Sequence, residues 1–230
     1  MLRYTALVLH RDTTSEDQKL QMLRGLAFLR MECAGVRAGD YGDDLFGGSR
    51  PLLAVPPWKR TPRWRARSEG PPSNYDAAVH LDFDDDAALA RCLADENGRA
   101  VARFTASVTV PELTARIRWR YGGEPRIRRG LVRHTALFVW TGEADAGARA
   151  RALDAARALG ETPGVVSAAA GENVGGPAAN FDWTLDILVE DQAAARDLIE
   201  GRHYAEAMRV IAPATKYEWT ARVTHVMRGY

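Results

Sequence analysis

The sequence contains one pattern twice, and this internal repeat limits what the chain can fold into. The recurring segments are residues 4–10 and 134–140, residues 74–76 and 180–182, and residues 114–116 and 220–222. The first pair is separated by 130 positions and the other two by 106, so the first half carries about 24 extra residues. A repeat this long exceeds a solenoid unit and matches a small domain. We therefore expect two copies of one module in a single chain.

The composition is that of an ordinary globular protein. Of the 230 residues, 46% are hydrophobic and 27% are charged, and the formal net charge is +1. A charge so close to zero gives no general attraction to nucleic acid or to a membrane. The chain has two cysteines, Cys33 and Cys92, and no apolar run of membrane-spanning length. We expect a reduced, cytoplasmic protein without a signal peptide or a disulfide framework.

Each half predicts the order strand, helix, strand, strand, helix, strand. Apolar runs rich in β-forming residues mark the strands. They lie at 3–10, 36–42, 75–83 and 113–121, and again at 132–140, 165–171, 181–190 and 217–227. A capping box at residues 15–18 starts the first helix, and its counterpart covers about 143–159. The second helices begin among the acids at 84–86 and 190–191, and short helical turns follow near 99–106 and 203–212.

This order predicts an α+β protein made of two ferredoxin-like β-α-β-β-α-β modules. Such a module packs its helices on one face of a four-stranded antiparallel sheet, and the other face must be covered. The second copy supplies the cover, so the two sheets form an intramolecular α/β barrel. We place the N-terminal module at 1–121 with a basic, Pro- and Trp-rich insertion at about 46–72, the linker at 122–130 and the C-terminal module at 131–230.

The second half resembles the stress-responsive A/B-barrel (Dabb) domain of the dimeric α+β barrel superfamily. The resemblance is carried by residues 132–138, 162–165, 180–183 and 202–204, in this order, over about 95 residues. The first half is similar but more divergent. A fused pair with one expanded copy is similar to the tailoring oxygenases of angucycline-type aromatic polyketides. The superfamily is functionally diverse and also includes polyketide cyclases, small oxygenases without a bound metal and haem-handling relatives.

The resemblance implies a pocket between sheet and helices. In the cyclases of this fold, a histidine on strand one and a His or Tyr after the second helix do the chemistry. His134 matches the first position, and the second falls at or beside Tyr204, next to His203. The first half has Tyr4 in place of His134 and no histidine at residues 96–98. We therefore expect the chemistry to belong to the second half.

Side-chain alternation predicts the walls of that pocket. It groups His134, Ala136, Phe138 and Trp140 on the first strand, Trp183, Leu185 and Ile187 on the third, and Ala221, Val223 and His225 on the last. If these faces line one cavity, it is wide, aromatic and suited to a flat polycyclic ligand. The candidate substrate-binding residues are Phe138, Trp140, Trp183, Leu185 and His225, and the candidate catalytic residues are His134, His203 and Tyr204. A structural role for each histidine stays open.

The sequence predicts neither a metal site nor a nucleotide-binding fold. The spacings H-x-x-x-H, C-x-x-C, H-E-x-x-H, G-x-G-x-x-G and G-x-x-x-x-G-K do not occur. We expect no tightly bound cofactor, so any reduced flavin is a diffusible cosubstrate; haem ligation by His203 is an open alternative. Asp182 and Asp186 share the strand face opposite Trp183, and we expect them on the polar or inter-sheet side.

Two basic runs, at residues 50–67 and 116–133, are expected to be solvated surface. The alternatives are contact with an anionic cosubstrate such as a reduced flavin phosphate, with an acidic acyl carrier protein, or with nucleic acid. The insertion is either a lid over an aromatic ligand or an inert expansion loop.

Three functions are consistent with these features. The first is a tailoring oxygenase of angucycline-like polyketide biosynthesis, in which His134, helped by His203 or Tyr204, deprotonates a polycyclic phenol that reacts with O2. A reduced flavin, delivered by a flavin reductase, is an optional electron donor. The second is an aldol-type polyketide cyclase that uses the same base, and the third is a non-catalytic ligand-binding stress protein. We expect a monomer or a homodimer of fused pseudo-dimers, without nucleic-acid or membrane partners.

Overall fold

The computed structural model describes residues 1–46, 74–122, 129–176 and 179–228. The first module contains β1 (Leu2–Val8), α1 (Glu16–Glu32), β2 (Val36–Asp43), β3 (Ala77–Phe83), α2 (Asp86–Ala94), α3 (Glu96–Val108) and β4 (Ala115–Arg120). The second contains β5 (Val132–Phe138), α4 (Ala146–Ala158), β6 (Val165–Glu172), β7 (Trp183–Val189), α5 (Gln192–Glu200), α6 (Arg202–Ile211) and β8 (Ala221–Val226). Most of the predicted insertion and linker lies outside the described residues, so the domain boundaries stay predictions.

Each module forms one antiparallel four-stranded sheet with its first and third strands in the centre. The strand orders are β2-β3-β1-β4 and β6-β7-β5-β8. The registers are equivalent, because Leu2 stands opposite Phe83 in the first sheet and Val132 stands opposite Val189 in the second. The predicted α+β fold with two ferredoxin-like modules is confirmed.

Local sequence signals start the helices as predicted. The Ser15 hydroxyl accepts a hydrogen bond from the Gln18 backbone at 3.2 Å, and the Gln18 side chain accepts one from the Ser15 backbone at 2.9 Å. This capping box satisfies two N–H groups at the start of α1. Asp85 and Asp191 cap α2 and α5, each accepting a hydrogen bond from the backbone N–H three residues later.

Two predicted boundaries need correction. The last strands are shorter than predicted, because 3-10 turns at Pro111–Leu113 and Tyr217–Trp219 occupy the residues before β4 and β8. The short helical turns predicted near 99–106 and 203–212 are instead full helices, α3 and α6, with 13 and 10 residues. None of the helices in the described ranges is both long and apolar enough to cross a membrane.

The two sheets cover each other's inner faces and form the intramolecular barrel. The apolar part of this interface includes Leu7, Ile117, Trp119, Leu137, Phe181 and Val223. At one edge, the Leu45 N–H donates to the Thr224 carbonyl at 2.7 Å; at the other, the Val174 N–H donates to the Arg118 carbonyl at 2.8 Å. Backbone just beyond β2 thus bonds to β8, and backbone just beyond β6 bonds to β4. These bonds satisfy backbone N–H and C=O groups that would otherwise be unpaired at open sheet edges.

The repeated Asn and Thr-Ala-Arg motifs bind each other across the two modules. Asn74 donates from Nδ2 to the Thr220 carbonyl at 2.7 Å and accepts at Oδ1 from the Arg222 N–H at 2.6 Å. Asn180 makes the same two bonds to the first module, at 2.9 and 2.7 Å. The two motifs therefore recur together because each is the partner of the other in the interface.

Candidate active site

His134 lies on the helix-facing side of β5 and contacts Tyr204 and Thr224. Its Nε2 is 3.0 Å from the Tyr204 hydroxyl on α6, and its Nδ1 is 2.8 Å from the Thr224 hydroxyl on β8. The imidazole has no exposed surface. An arrangement in which Tyr204 donates to Nε2 and Nδ1–H donates to Thr224 satisfies both ring nitrogens. The structure thus brings together two of the three predicted catalytic residues.

The surroundings determine the charge of this pair. Burial, followed by the positive charge of Arg222, lowers the pKa of His134 to about 3, so the imidazole is neutral at pH 7. Burial raises the pKa of Tyr204, and Arg222 opposes that shift. The neutral imidazole can accept a proton, but the burial and the Arg222 charge that lower its pKa also disfavour the protonated ring in this closed arrangement. Arg222 favours negative charge beside the pair.

An aromatic wall stands in the same core as His134. Phe138 stacks on Trp183 with ring centroids 4.2 Å apart, and Trp140 stacks on Trp183 at 5.0 Å. Leu185 belongs to the same buried cluster. The Trp183 indole N–H is buried and has no hydrogen-bond partner among the described residues. The structure therefore places these four candidate substrate-binding residues in the same core cluster as Tyr204, with Phe138 and Trp183 four strand positions from His134. Their role in binding stays a prediction.

His225 does not join this site, and the expectation that its face of β8 lines the same cavity is wrong. The pairing of β8 with β5 places Thr224, not His225, opposite His134. The His225 side chain consequently points to the other sheet, where Nε2 lies 3.0 Å from Asp40 Oδ2. Side chains alternate along β8 as predicted, but the residues predicted to face the helices face the other sheet instead.

His203 is also separate from His134. It is exposed and lines an open surface groove of ≈ 420 Å³ between α4 and α6, together with Glu161 and Glu206. Successive residues of a helix point about 100° apart, so the inward direction of Tyr204 turns its neighbour outward. The structure gives no support to a catalytic role for His203.

Thr224 and Arg222 are the residues that sequence reasoning missed. Thr224 became identifiable only from the register of β8 on β5. Arg222 belongs to the repeated Thr-Ala-Arg motif, but that motif is explained equally well by its backbone contact with Asn74. No pattern in the chain marks either side chain as a neighbour of His134.

A second group of buried polar residues lies inside the barrel, between the sheets. Arg3 binds Asp82 through Nε and Nη2 at 2.6 and 2.8 Å, and its Nη1 binds Asp186 at 2.5 Å. Arg133 binds Asp40 at 2.8 Å and lies 3.3 Å from Asp186. Two guanidinium groups thus lie among three carboxylates between the sheets, and each Arg is paired with an Asp. The cluster is part of the interface between the modules.

The pKa shifts in this cluster follow from the same pairing. Burial alone would raise the pKa of Asp40, but Arg133 and His225 hold it below its ordinary value. Burial and Arg133 lower the pKa of His80 well below its ordinary value, and its Nδ1 lies 3.1 Å from the Thr5 hydroxyl. The cluster therefore consists of paired ions beside a neutral His80.

Asp182 has a structural contact of its own. Its carboxylate accepts a hydrogen bond from the Trp140 backbone at 2.8 Å, and Asp76 does the same for His10 at 2.7 Å. Each acid fixes the chain where the first strand of its module ends. Within the described ranges, no three His, Cys, Asp or Glu side chains are grouped so that they could hold a metal ion.

Solved structures show the same fold over nearly the whole chain. An anthrone oxidase-like protein matches with a TM-score of 0.68 and 10% identity, covering 100% of this chain and 92% of that one. A Fusobacterium nucleatum protein described as a "putative monooxygenase" matches at 0.61 and 8%, covering 98% and 91%. A Lactobacillus acidophilus protein with the same description matches at 0.54 and 13%, covering 98% and 92%. No protein-family model and no curated protein matches the chain.

These similarities define the class of the protein at the level of the fold. The coverage includes both modules and their arrangement, so the chain has the fold of a dimeric α+β barrel built within one polypeptide. The resemblance to that superfamily is confirmed for the fold.

Proposed function

We propose that the protein is an oxygenase that oxidises a ring of a polycyclic phenol, as in the tailoring of aromatic polyketides. The observation that carries the proposal is the buried His134–Tyr204 hydrogen bond in a module core that also contains a stacked aromatic cluster. This pair provides a neutral base and a proton carrier that are shielded from water. Full-length similarity to an anthrone oxidase-like protein and to two proteins described as putative monooxygenases supports this class. An angucycline-like substrate rests on the sequence resemblance alone.

In the first step, the substrate loses its phenolic proton to the His134–Tyr204 pair. The substrate hydroxyl donates to the Tyr204 oxygen while the Tyr204 proton moves to His134 Nε2, so the proton ends on the imidazole. Thr224 holds the opposite ring nitrogen at 2.8 Å and keeps the ring in position. Arg222 stabilises the negative charge that forms, because a cation acts strongly in a desolvated site.

In the second step, the anion reacts with O2. The conjugated ring carbon that is CH in this phenol, and CH2 in its keto tautomer, forms a bond to oxygen and becomes a peroxide, which takes up the proton held by His134. Cleavage of the O–O bond with loss of water converts the carbon into a carbonyl, so the substrate and O2 yield the ketone and water. All electrons come from the substrate. The unpaired Trp183 N–H, in the same core, is available to donate to a reacting oxygen.

Access to this pair requires motion of the helical layer. His134 has no exposed surface and Tyr204 is 6% exposed, so no substrate can touch them in the closed arrangement. Because α6 carries Tyr204, displacement of α6 from the sheet opens the site. We expect substrate binding to be accompanied by local opening of this helix.

The test is oxygen uptake by the purified full chain with anthrones and polycyclic phenols, with and without reduced flavin. We expect uptake without flavin, and a decrease of roughly 10²-fold or more in His134→Ala, the range typical of general acid–base catalysis. Tyr204→Phe should lower kcat more than it changes KM, because the proton relay is lost. His203→Ala is the matched control on the same helix and should retain wild-type uptake.

Each other outcome points to a specific alternative. An equal decrease in oxygen uptake in His134→Ala and His203→Ala would contradict the assigned site. Uptake that requires reduced flavin would replace the substrate-only step with flavin-dependent oxidation and imply a reductase partner. A product of unchanged oxidation level without O2 consumption would identify a cyclase, and binding without any product would identify a non-catalytic ligand-binding protein.

A further inference from the structure

The N-terminal module contains a cavity of ≈ 250 Å³ between its sheet and its helices, which is open to solvent on the side where Ala102 and Ala106 are exposed. Most of its lining is apolar and comes from β1, β3, α1 and α3; examples are Val8, Leu26, Leu81 and Val101. Its polar lining includes Tyr4, Thr105 and Arg116. This is the module in which the resemblance predicts no chemistry, so the catalytic pair of the other module does not explain the cavity.

The cavity follows from two differences between the modules. The offset of 106 that relates the repeats places Gly98 where the second module has Tyr204, and Ala102 where it has Met208. Tyr204 and Met208 are buried in the core of their module, whereas Gly98 and Ala102 line the cavity. The first module has thus lost the two side chains that fill the equivalent space in the second.

The space cannot be refilled at Gly98. A Cβ added there would lie 1.8 Å from the Cys92 carbonyl oxygen, a distance that the backbone of α2 and α3 cannot accept. The close approach of the two helices therefore requires glycine at this position and keeps the cavity open above Tyr4.

Tyr4 and Arg116 interact at the wall of this apolar cavity and give it a polar recognition point. Burial raises the pKa of the Tyr4 phenol, and the neighbouring Arg116 guanidinium opposes that shift. The Thr105 hydroxyl is also buried, and it has no hydrogen-bond partner among the residues that the structure describes. A buried polar group without a partner is costly, so a ligand that reached this hydroxyl would gain a hydrogen bond there.

We propose that this cavity is a second ligand site, distinct from His134, which binds a one- or two-ring aromatic molecule carrying one phenolic oxygen. A dry cavity of about 150 Å³ accommodates benzene, so the larger volume here matches a bicyclic ring system. The ring lies against the apolar walls, and its oxygen is bound by Tyr4 and Arg116. A tetracyclic molecule is too large to be enclosed. This inference does not depend on the proposed oxygenase activity.

The test is a binding titration of the full chain with 2-naphthol, run without oxygen so that turnover does not interfere. Ala102→Leu places a larger side chain at the exposed mouth of the cavity and should weaken binding by roughly tenfold or more. Ala100→Leu is the matched control, because Ala100 lies on the same helix but lines an outer groove, and it should bind as wild type. Ala106→Leu, which also fills the cavity, replaces Ala102→Leu should that variant not fold.

A second comparison tests the polar recognition. Tyr4→Phe should weaken the binding of 2-naphthol by roughly threefold to tenfold, because one hydrogen bond is lost. The binding of naphthalene should stay unchanged. Equal effects on the two probes would show that the oxygen is not recognised by Tyr4. Absence of 2-naphthol binding to the wild type, or binding that both cavity-filling variants retain, would overturn the inference. Neither outcome bears on oxygen uptake, which is tested through His134.

Discussion

The buried environment of His134 bears on the stability of the protein as well as on its proposed role as a base. Burial and Arg222 lower its pKa to about 3 in the folded chain, against an ordinary value of 6.5. Between these values the unfolded chain binds a proton that the folded chain excludes. The free energy of unfolding therefore carries no penalty from His134 above pH 6.5, and it decreases as the pH falls from 6.5 toward 3.

We expect His134→Gln to reduce the acid sensitivity of the protein. A proton excluded from the folded state costs up to about 1.4 kcal/mol per pH unit, so wild type should lose roughly 2 to 3 kcal/mol more than the variant between pH 6.5 and 4.5. Urea unfolding at a series of pH values measures this difference. His203→Gln, at an exposed position, should follow wild type. If the free energy of unfolding changed with pH equally in wild type and in His134→Gln, His134 would not be held neutral in the folded protein.

Single residues were predictable where an independent pattern marked them. The resemblance located His134 and Tyr204 in the sequence, and the structure shows that they form a hydrogen bond at 3.0 Å. Thr224 and His225 are adjacent, and sequence alone cannot tell which of two neighbouring strand residues faces the helices. That choice depends on the register with β5, which is a long-range property of the sheet.

At the scale of elements, the order of strands and helices follows from the repeat. Contacts between the modules explain two of the repeated motifs. The Asn motif before β3 and β7 bonds to the Thr-Ala-Arg motif of the other module. Asn74 is buried, whereas Asn180 is exposed. The same pair of hydrogen bonds therefore has a different environment in the two halves.

We expect Asn74→Ala to destabilise the protein more than Asn180→Ala. Loss of Asn74 leaves the Thr220 carbonyl and the Arg222 N–H without their partner in a buried interface, at a cost of about 1–3 kcal/mol. At Asn180, water can replace the lost bonds, and the cost should be well below 1 kcal/mol. Chemical denaturation of each variant measures both values. Equal losses would mean that solvent reaches the two junctions alike.

At the scale of the whole molecule, the inner faces of the two sheets form one shared interface. The facing sheets bury apolar side chains such as Leu137 and Val223, and they also bury the paired charges of Arg3, Arg133 and Asp186. The barrel was predictable because each sheet needed a cover. The buried ion pairs could not be predicted from the repeat. Arg3 and Arg133 occupy equivalent positions in the two modules, but the aspartates that bind them do not.

The charge cluster makes each module dependent on the other. A chain of residues 131–230 alone would expose the inner face of its sheet and leave Arg133 without Asp40, and breaking a buried ion pair costs about 3–5 kcal/mol. We expect this fragment to aggregate or to dimerise, and to form a folded one-to-one complex when refolded with residues 1–121. Light scattering and circular dichroism, with the intact chain as control, measure both states. A stable monomer of 131–230 would show that the second sheet does not need its cover, and that the duplication serves the sites on the helical faces.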